Sequence, residues 1–222
     1  VGSWNFAATA YLNQWKVKIY YEHYFDDHSQ MFFQYGRWKD GHIGLEITFP
    51  KNRFIDTFVY EGLGTKDQTG PMLYDSFWGE FEEQISAKDN YYNHYLYQGW
   101  QHWGMGIGNP LLPGPIYNKN GQITFISNRV LAHHIGFCGS PCQSLSYRML
   151  LSYSRHWGTY DNPLNEIKKQ FNSLFEVTYA PQQLKGWSFT VSGAMDRGSM
   201  LGNNYGGMLV IRKQGIIKSG NK

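Results

Sequence analysis

The 222-residue chain is short of charge: Asp, Glu, Lys and Arg make up 17% of it, against about 25% in ordinary soluble domains. Its 20 basic and 17 acidic residues leave a net charge of only +3. The basic residues are scattered rather than gathered on one face, so no nucleic-acid partner is expected. No apolar run approaches the roughly 18 to 20 residues of a transmembrane helix. Ala, Glu and Leu, which fill helical bundles, are scarce. The familiar catalytic signatures GxSxG, HExxH, GxxxxGK[ST] and GxGxxG are missing as well. No cofactor or metal is expected, and no enzymatic activity.

Aromatics and small polar residues take the place of charge. Trp, Tyr and Phe reach 18%, Gly contributes 25 residues, and the mean hydropathy is −0.51. Such a chain is too aromatic to be disordered and too rich in glycine for a helical protein. Composition predicts an all-β protein, soluble or in an outer membrane.

Period-2 alternation is the main structural signal. Trp4, Phe6, Ala8, Ala10 and Leu12 share one face of a first strand, and Asn13-Gln14 turns the chain into a second that carries Trp15, Val17, Ile19 and Tyr21. A third is expected around 31–38, followed by an Asp40-Gly41 hairpin signal, a fourth around 43–49 and a fifth around 54–63. Five more are expected near 128–137, 144–154, 170–179, 186–196 and 205–213. Most of these ten are eight to eleven residues long. Soluble strands average about 5 to 6 residues, whereas a tilted strand crossing a bilayer needs about 9 to 11. Long strands with one apolar, aromatic-ended face and one small-polar face predict an antiparallel transmembrane β-barrel. A soluble β-sandwich is the rival.

One insertion interrupts the pattern at about 64–122. Structureless loops beyond about 12 to 15 residues are usually functional or disordered, and this one is too aromatic for disorder. Its first part, 74–84, has the pattern of a short amphipathic helix, and its acidic Glu80, Glu82, Glu83 and Asp89 are read as solvated surface rather than as a glycosidase carboxylate pair. The stretch from Asp89 to Trp103 interleaves flat rings with amides. Sugars present apolar C–H faces ringed by hydroxyls, so aromatic platforms beside hydrogen-bonding side chains suit them. Asp89, Asn90, Tyr91, Tyr92, Tyr95, Tyr97, Trp100, His102 and Trp103 are therefore candidate glycan-binding residues. The same rings also suit a loop packed as a plug, or an interfacial belt.

Arg129, His133, Arg148 and Glu176 are expected to point inward and line a lumen. Cys138 and Cys142, in Cys138-Gly139-Ser140-Pro141-Cys142, are read as a disulfide or a free pair in a loop. Two cysteines fall short of a four-ligand zinc site, and strand alternation separates His133 from His134.

Several segments resemble the Wzi-like capsule assembly proteins of Bacteroidetes-type bacteria: Gln84-Ile85-Ser86, Asp89-Asn90-Tyr91-Tyr92-Asn93, Gly99-Trp100 and Gly108-Asn109-Pro110-Leu111, then Asn128-Arg129-Val130 with Ala132-His133-His134, Trp157-Gly158-Thr159-Tyr160, and Asp196-Arg197-Gly198 with Gly202-Asn203-Asn204. The likeness runs over roughly 64–215. It implies a Gram-negative outer-membrane barrel of about 18 strands that holds capsular or other surface polysaccharide as a lectin. Lipid and other outer-membrane proteins would be its partners. Such family members are about twice this length, so the chain is expected to be a C-terminal half, without the N-terminal half and signal peptide of such a protein. The ending 211–217 lacks the terminal Phe common in such barrels. Alternatives are a small-solute pore with the insertion as its constriction, or a structural subunit of a larger outer-membrane assembly.

Overall fold

The computed structural model describes residues 2–25, 40–52, 54–66, 69–71, 86–88, 101–106, 109–159 and 162–215. In chain order the strands are β1 (Gly2–Leu12), β2 (Trp15–Phe25), β3 (Gly41–Thr48), β4 (Thr57–Gly64), β5 (Thr69–Pro71), β6 (Ser86–Lys88), β7 (Gln101–His102), β8 (Met105–Gly106), β9 (Val130–Cys142), β10 (Leu145–Gly158), β11 (Pro163–Tyr179), β12 (Trp187–Gly198) and β13 (Asn204–Lys213). Nine of them form one sheet in the order β1-β2-β3-β4-β9-β10-β11-β12-β13, while β5-β6 and β7-β8 are small separate pairs. Every pairing is antiparallel. Among the described residues there is no α-helix, only a 3-10 turn at Pro115–Tyr117.

The sheet contains nine of the ten strands that alternation predicts; the expected strand at 31–38 and the expected helix at 74–84 lie outside the described residues. The chain does not close a barrel by itself. Among the described residues β1 pairs only with β2 and β13 only with β12, leaving two open edges. The Asp40-Gly41 signal marks no tight turn between neighbours: Gly41 opens β3, which lies between β2 and β4. Glycine is needed there because a Cβ would collide with the Glu22 carbonyl oxygen.

The registers sort the side chains into two faces. One is apolar from edge to edge, running through Phe6, Ile19, Leu45, Tyr60, Ile135, Leu151, Phe175, Val191 and Leu209. The other holds the strand carboxylates Glu22, Glu46, Glu61, Glu176 and Asp196 with Ser, Thr, Asn and His. β-Branched and aromatic residues on alternate positions suit a pleated surface with one face off water, and among the described residues that face carries no covering layer. Ile19, Val191 and Leu209 remain 54%, 61% and 65% exposed.

The two ends of the sheet differ. Connections 13–14, 49–56, 143–144 and 180–186 lie at one end; 26–40, 65–129, 159–162 and 199–203 lie at the other. The first end is closed by short turns and the second carries the insertion. Aromatic rings stand on the apolar face near both ends. Trp15 packs on Phe49 with centroids 5.0 Å apart, and Trp187 stacks on Phe189 at 6.3 Å, both at the short-turn end. Tyr153 and Phe171 are direct cross-strand partners toward the other.

The buried core is small and lies on the polar face. Leu63, Val130 and Ala132 project from β4 and β9 onto Leu112 and Phe125 of the insertion. The last part of the insertion therefore folds back over the polar face instead of extending away from the sheet. Thr65 fastens its root: the hydroxyl donates to the Asn128 carbonyl at 2.6 Å and accepts from the Val130 amide at 3.1 Å.

Candidate functional site

Register builds the site. Tyr20, Gly44, Glu61, His134, Ser152, Asn172 and Asp196 are successive partners on β2, β3, β4, β9, β10, β11 and β12, so they form one polar row across the sheet. The Tyr20 phenol donates to the Glu61 carboxylate over Gly44. The His42 imidazole stands 3.5 Å from the same carboxylate and 3.9 Å from Glu22. Further along, His134 Nδ1 and Ser152 Oγ are 2.5 Å apart, and Asn172 donates to Asp196 at 2.7 Å. Each carboxylate is thus held by neighbouring donors, which fixes its orientation.

The insertion roofs part of this row. A cavity of about 290 Å3 lies between His42, Glu61, His134 and Ser152 on the sheet and Asn109, Pro110 and Leu111 above them. Its polar groups converge on one side while Leu63, Leu111 and Ala132 supply apolar wall. This combination suits a polyhydroxylated ligand, with acceptors and donors on one side and a C–H surface on the other. Among the described lining residues Glu61 is the carboxylate. Among the described residues no group of three or more His, Cys, Asp or Glu is placed to hold a metal ion.

Above the core, β7 and β8 make a hairpin whose central residues are Trp103 and Gly104, with φ of 53° and 78°. Positive φ at both positions is the type I′ arrangement. Gly104 takes it freely, but for tryptophan the left-handed region costs roughly 1–2 kcal/mol. The hairpin is tied down: Gly104 accepts from the Ile116 amide at 2.7 Å, and its own amide donates to Gln101 Oε1 at 2.9 Å. Trp103 is thereby held at the tip, 87% exposed, with the His102 ring edge-on at 6.2 Å. The hairpin thus presents a large exposed ring on a left-handed backbone position.

Of the residues expected to bind glycan, His102 and Trp103 share this hairpin, and Asp89, Asn90, Tyr91, Tyr92, Tyr95, Tyr97 and Trp100 lie outside the described residues. Arg148 and Glu176 do face each other on the polar face, 3.4 Å apart, beside a second cavity of about 250 Å3 near the short turns. His133 does not point with them. It lies on the apolar face, where the Tyr60 phenol reaches its Nδ1 at 2.8 Å, so a ring neighbour satisfies it outside any lumen. Arg129 precedes β9 and donates to the Lys66 carbonyl at 3.0 Å, at the root of the insertion.

Cys138 and Cys142 are not in a loop but on β9, and both are free thiols. The four steps of β9 between them include a bulge opposite Leu145 and Tyr147; fully extended they would span about 13 Å, roughly twice the Cα separation of a disulfide. Sequence reading missed Tyr20, His42, Glu61, His134 and Ser152. All five occupy the polar parity of otherwise apolar-faced strands, and that parity is the signal that finds them.

No family model, curated protein or solved structure matches the chain.

Proposed function

We propose that the sheet is part of the wall of an outer-membrane β-barrel of the Wzi-like kind, which holds capsular or other surface polysaccharide without transforming it. The observation that carries this reading is the pairing of two opposite faces. An apolar face that no described residue covers spans all nine strands, as a lipid-facing surface requires. The insertion packs against the polar face, where a lumen would be. Aromatic rings near both ends, and the long connections 26–40 and 65–129 at one end only, also fit a barrel with short periplasmic turns and longer outer loops. The cavity roofed by Asn109 to Leu111 and the exposed Trp103 ring suit a sugar chain.

Membrane fractionation comes first, with gel mobility compared before and after boiling. A heat-shifted outer-membrane band is expected. A soluble band of unchanged mobility would refute the barrel. Capsule retention is then compared between wild type and Trp103→Ala; unchanged retention with intact mobility shift removes the glycan role of the hairpin. Single-channel conductance separates the pore alternative, since large steady conductance is incompatible with a lumen closed by the insertion.

A further inference from the structure

We infer that the apolar face carries a binding site for a phosphorylated glycolipid headgroup at the insertion end of the sheet, an inference that rests on the barrel reading above. Arg155 and Lys169 are direct cross-strand partners on that face, and Arg197 follows on the next strand opposite Phe171. Like charges directly opposite each other destabilise a sheet, so their juxtaposition calls for an anion between them. Among the described residues none pairs with them: Glu22, Glu46, Glu61, Glu176 and Asp196 lie on the other face, and Glu166, exposed on β11, makes no ion pair with them. Arg155, Lys169 and Arg197 make no ion pair among the described residues. The Arg155 Nε is buried with no hydrogen-bond partner. A fourth cation converges on the same place, because Lys66 Nζ and Arg155 Cζ both stand 5.1 Å from the Trp157 ring.

Position identifies the ligand. Tyr153 and Phe171 lie one step further into the apolar face than Arg155 and Lys169. Rings of this kind mark the interface of a membrane protein, so the cations stand at headgroup height, immediately outside the hydrocarbon. The cluster lies at the insertion end, which the barrel reading places at the cell surface, where the outer leaflet is glycolipid. Arg presents a planar fork that matches phosphate oxygens, and Lys adds a point charge. The acyl chains of the same lipid would run down the apolar face below. A soluble phosphate has no use for that face, so the headgroup of an embedded lipid is the occupant.

The test uses the full-length protein in mild detergent, with lipid binding read by native mass spectrometry. The probes are bis-phosphorylated lipid A, the same lipid with its phosphates removed, phosphatidylglycerol, and inorganic phosphate as competitor. Wild type should retain phosphorylated lipid A in preference to the other lipids, and inorganic phosphate should not displace it. Arg155→Gln with Lys169→Gln should lower retention about tenfold or more, as two headgroup contacts imply. Lys213→Gln, on the apolar face at the short-turn end, should leave it unchanged. Equal retention of dephosphorylated lipid A, preference for phosphatidylglycerol, displacement by inorganic phosphate, or an unaffected double variant would each overturn the site. The single variant Lys169→Gln, at an exposed position, repeats the measurement if the pair does not fold. Failure of the barrel reading appears separately, as a protein absent from the outer-membrane fraction.

Discussion

Tyr20 lies across Gly44 to give its phenol hydrogen to Glu61, so one side chain bridges three strands. The space exists because residue 44 has no Cβ: an atom built there would fall within the Tyr20 ring. Gly44→Ala should therefore displace the ring and cost about 1–3 kcal/mol, the usual range for forcing a methyl into filled space. Urea unfolding followed by tryptophan fluorescence measures it. Tyr20→Phe keeps the ring over Gly44 and loses only the hydrogen bond, so it should cost less. A Gly44→Ala protein as stable as wild type would show that the ring is not held there.

Val191 and Met208 are similarly exposed, at 61% and 56%, but face opposite ways. In water alone, arginine at either position should be tolerated alike. With lipid against the apolar face, Val191→Arg should cost about 2–4 kcal/mol, as near a bilayer midplane, while Met208→Arg on the polar side costs little. Refolding into vesicles, scored by the heat-shifted band, distinguishes the two. Equal effects would remove lipid from the apolar face.

The turn at Trp103 separates function from stability. Trp103→Gly should stabilise the hairpin by roughly 1–2 kcal/mol by relieving the left-handed conformation, yet weaken polysaccharide retention. Trp103→Ala should weaken retention while the strain remains. A Trp103→Gly protein that holds capsule normally would mean that the ring has no platform role.

Alkylation checks the cysteines. Unfolded protein should take up two carbamidomethyl groups without reductant and no more with it, read by intact mass, because Cys138 and Cys142 stand too far apart along β9 to join. A reductant-dependent gain would contradict the strand assignment.

Alternation made most of the sheet legible. Leu145, Tyr147, Met149, Leu151 and Tyr153 read as one face, and they are one. β11 runs further back than its pattern suggests, to Pro163, because Lys168 and Lys169 blur the period and a register shift between His156 and Gly158 breaks it. Asp40-Gly41 misleads because glycine serves two needs, and here it is close approach to Glu22 rather than a turn. His133 was expected inward on polarity alone; Tyr60 satisfies it on the other face, and polarity cannot show a partner 73 residues away in sequence. The site was legible only in part, since the polar row exists by cross-strand register, which no single strand encodes.

The two open edges have a consequence for assembly. Among the described residues β1 and β13 each present a row of backbone amides and carbonyls with no ladder partner, and in hydrocarbon every such group costs several kcal/mol. Those rows outweigh any side-chain contribution. No hairpin of this sheet can enter a bilayer by itself; strands must be zipped to one another, or to further strands, before or while lipid closes around them.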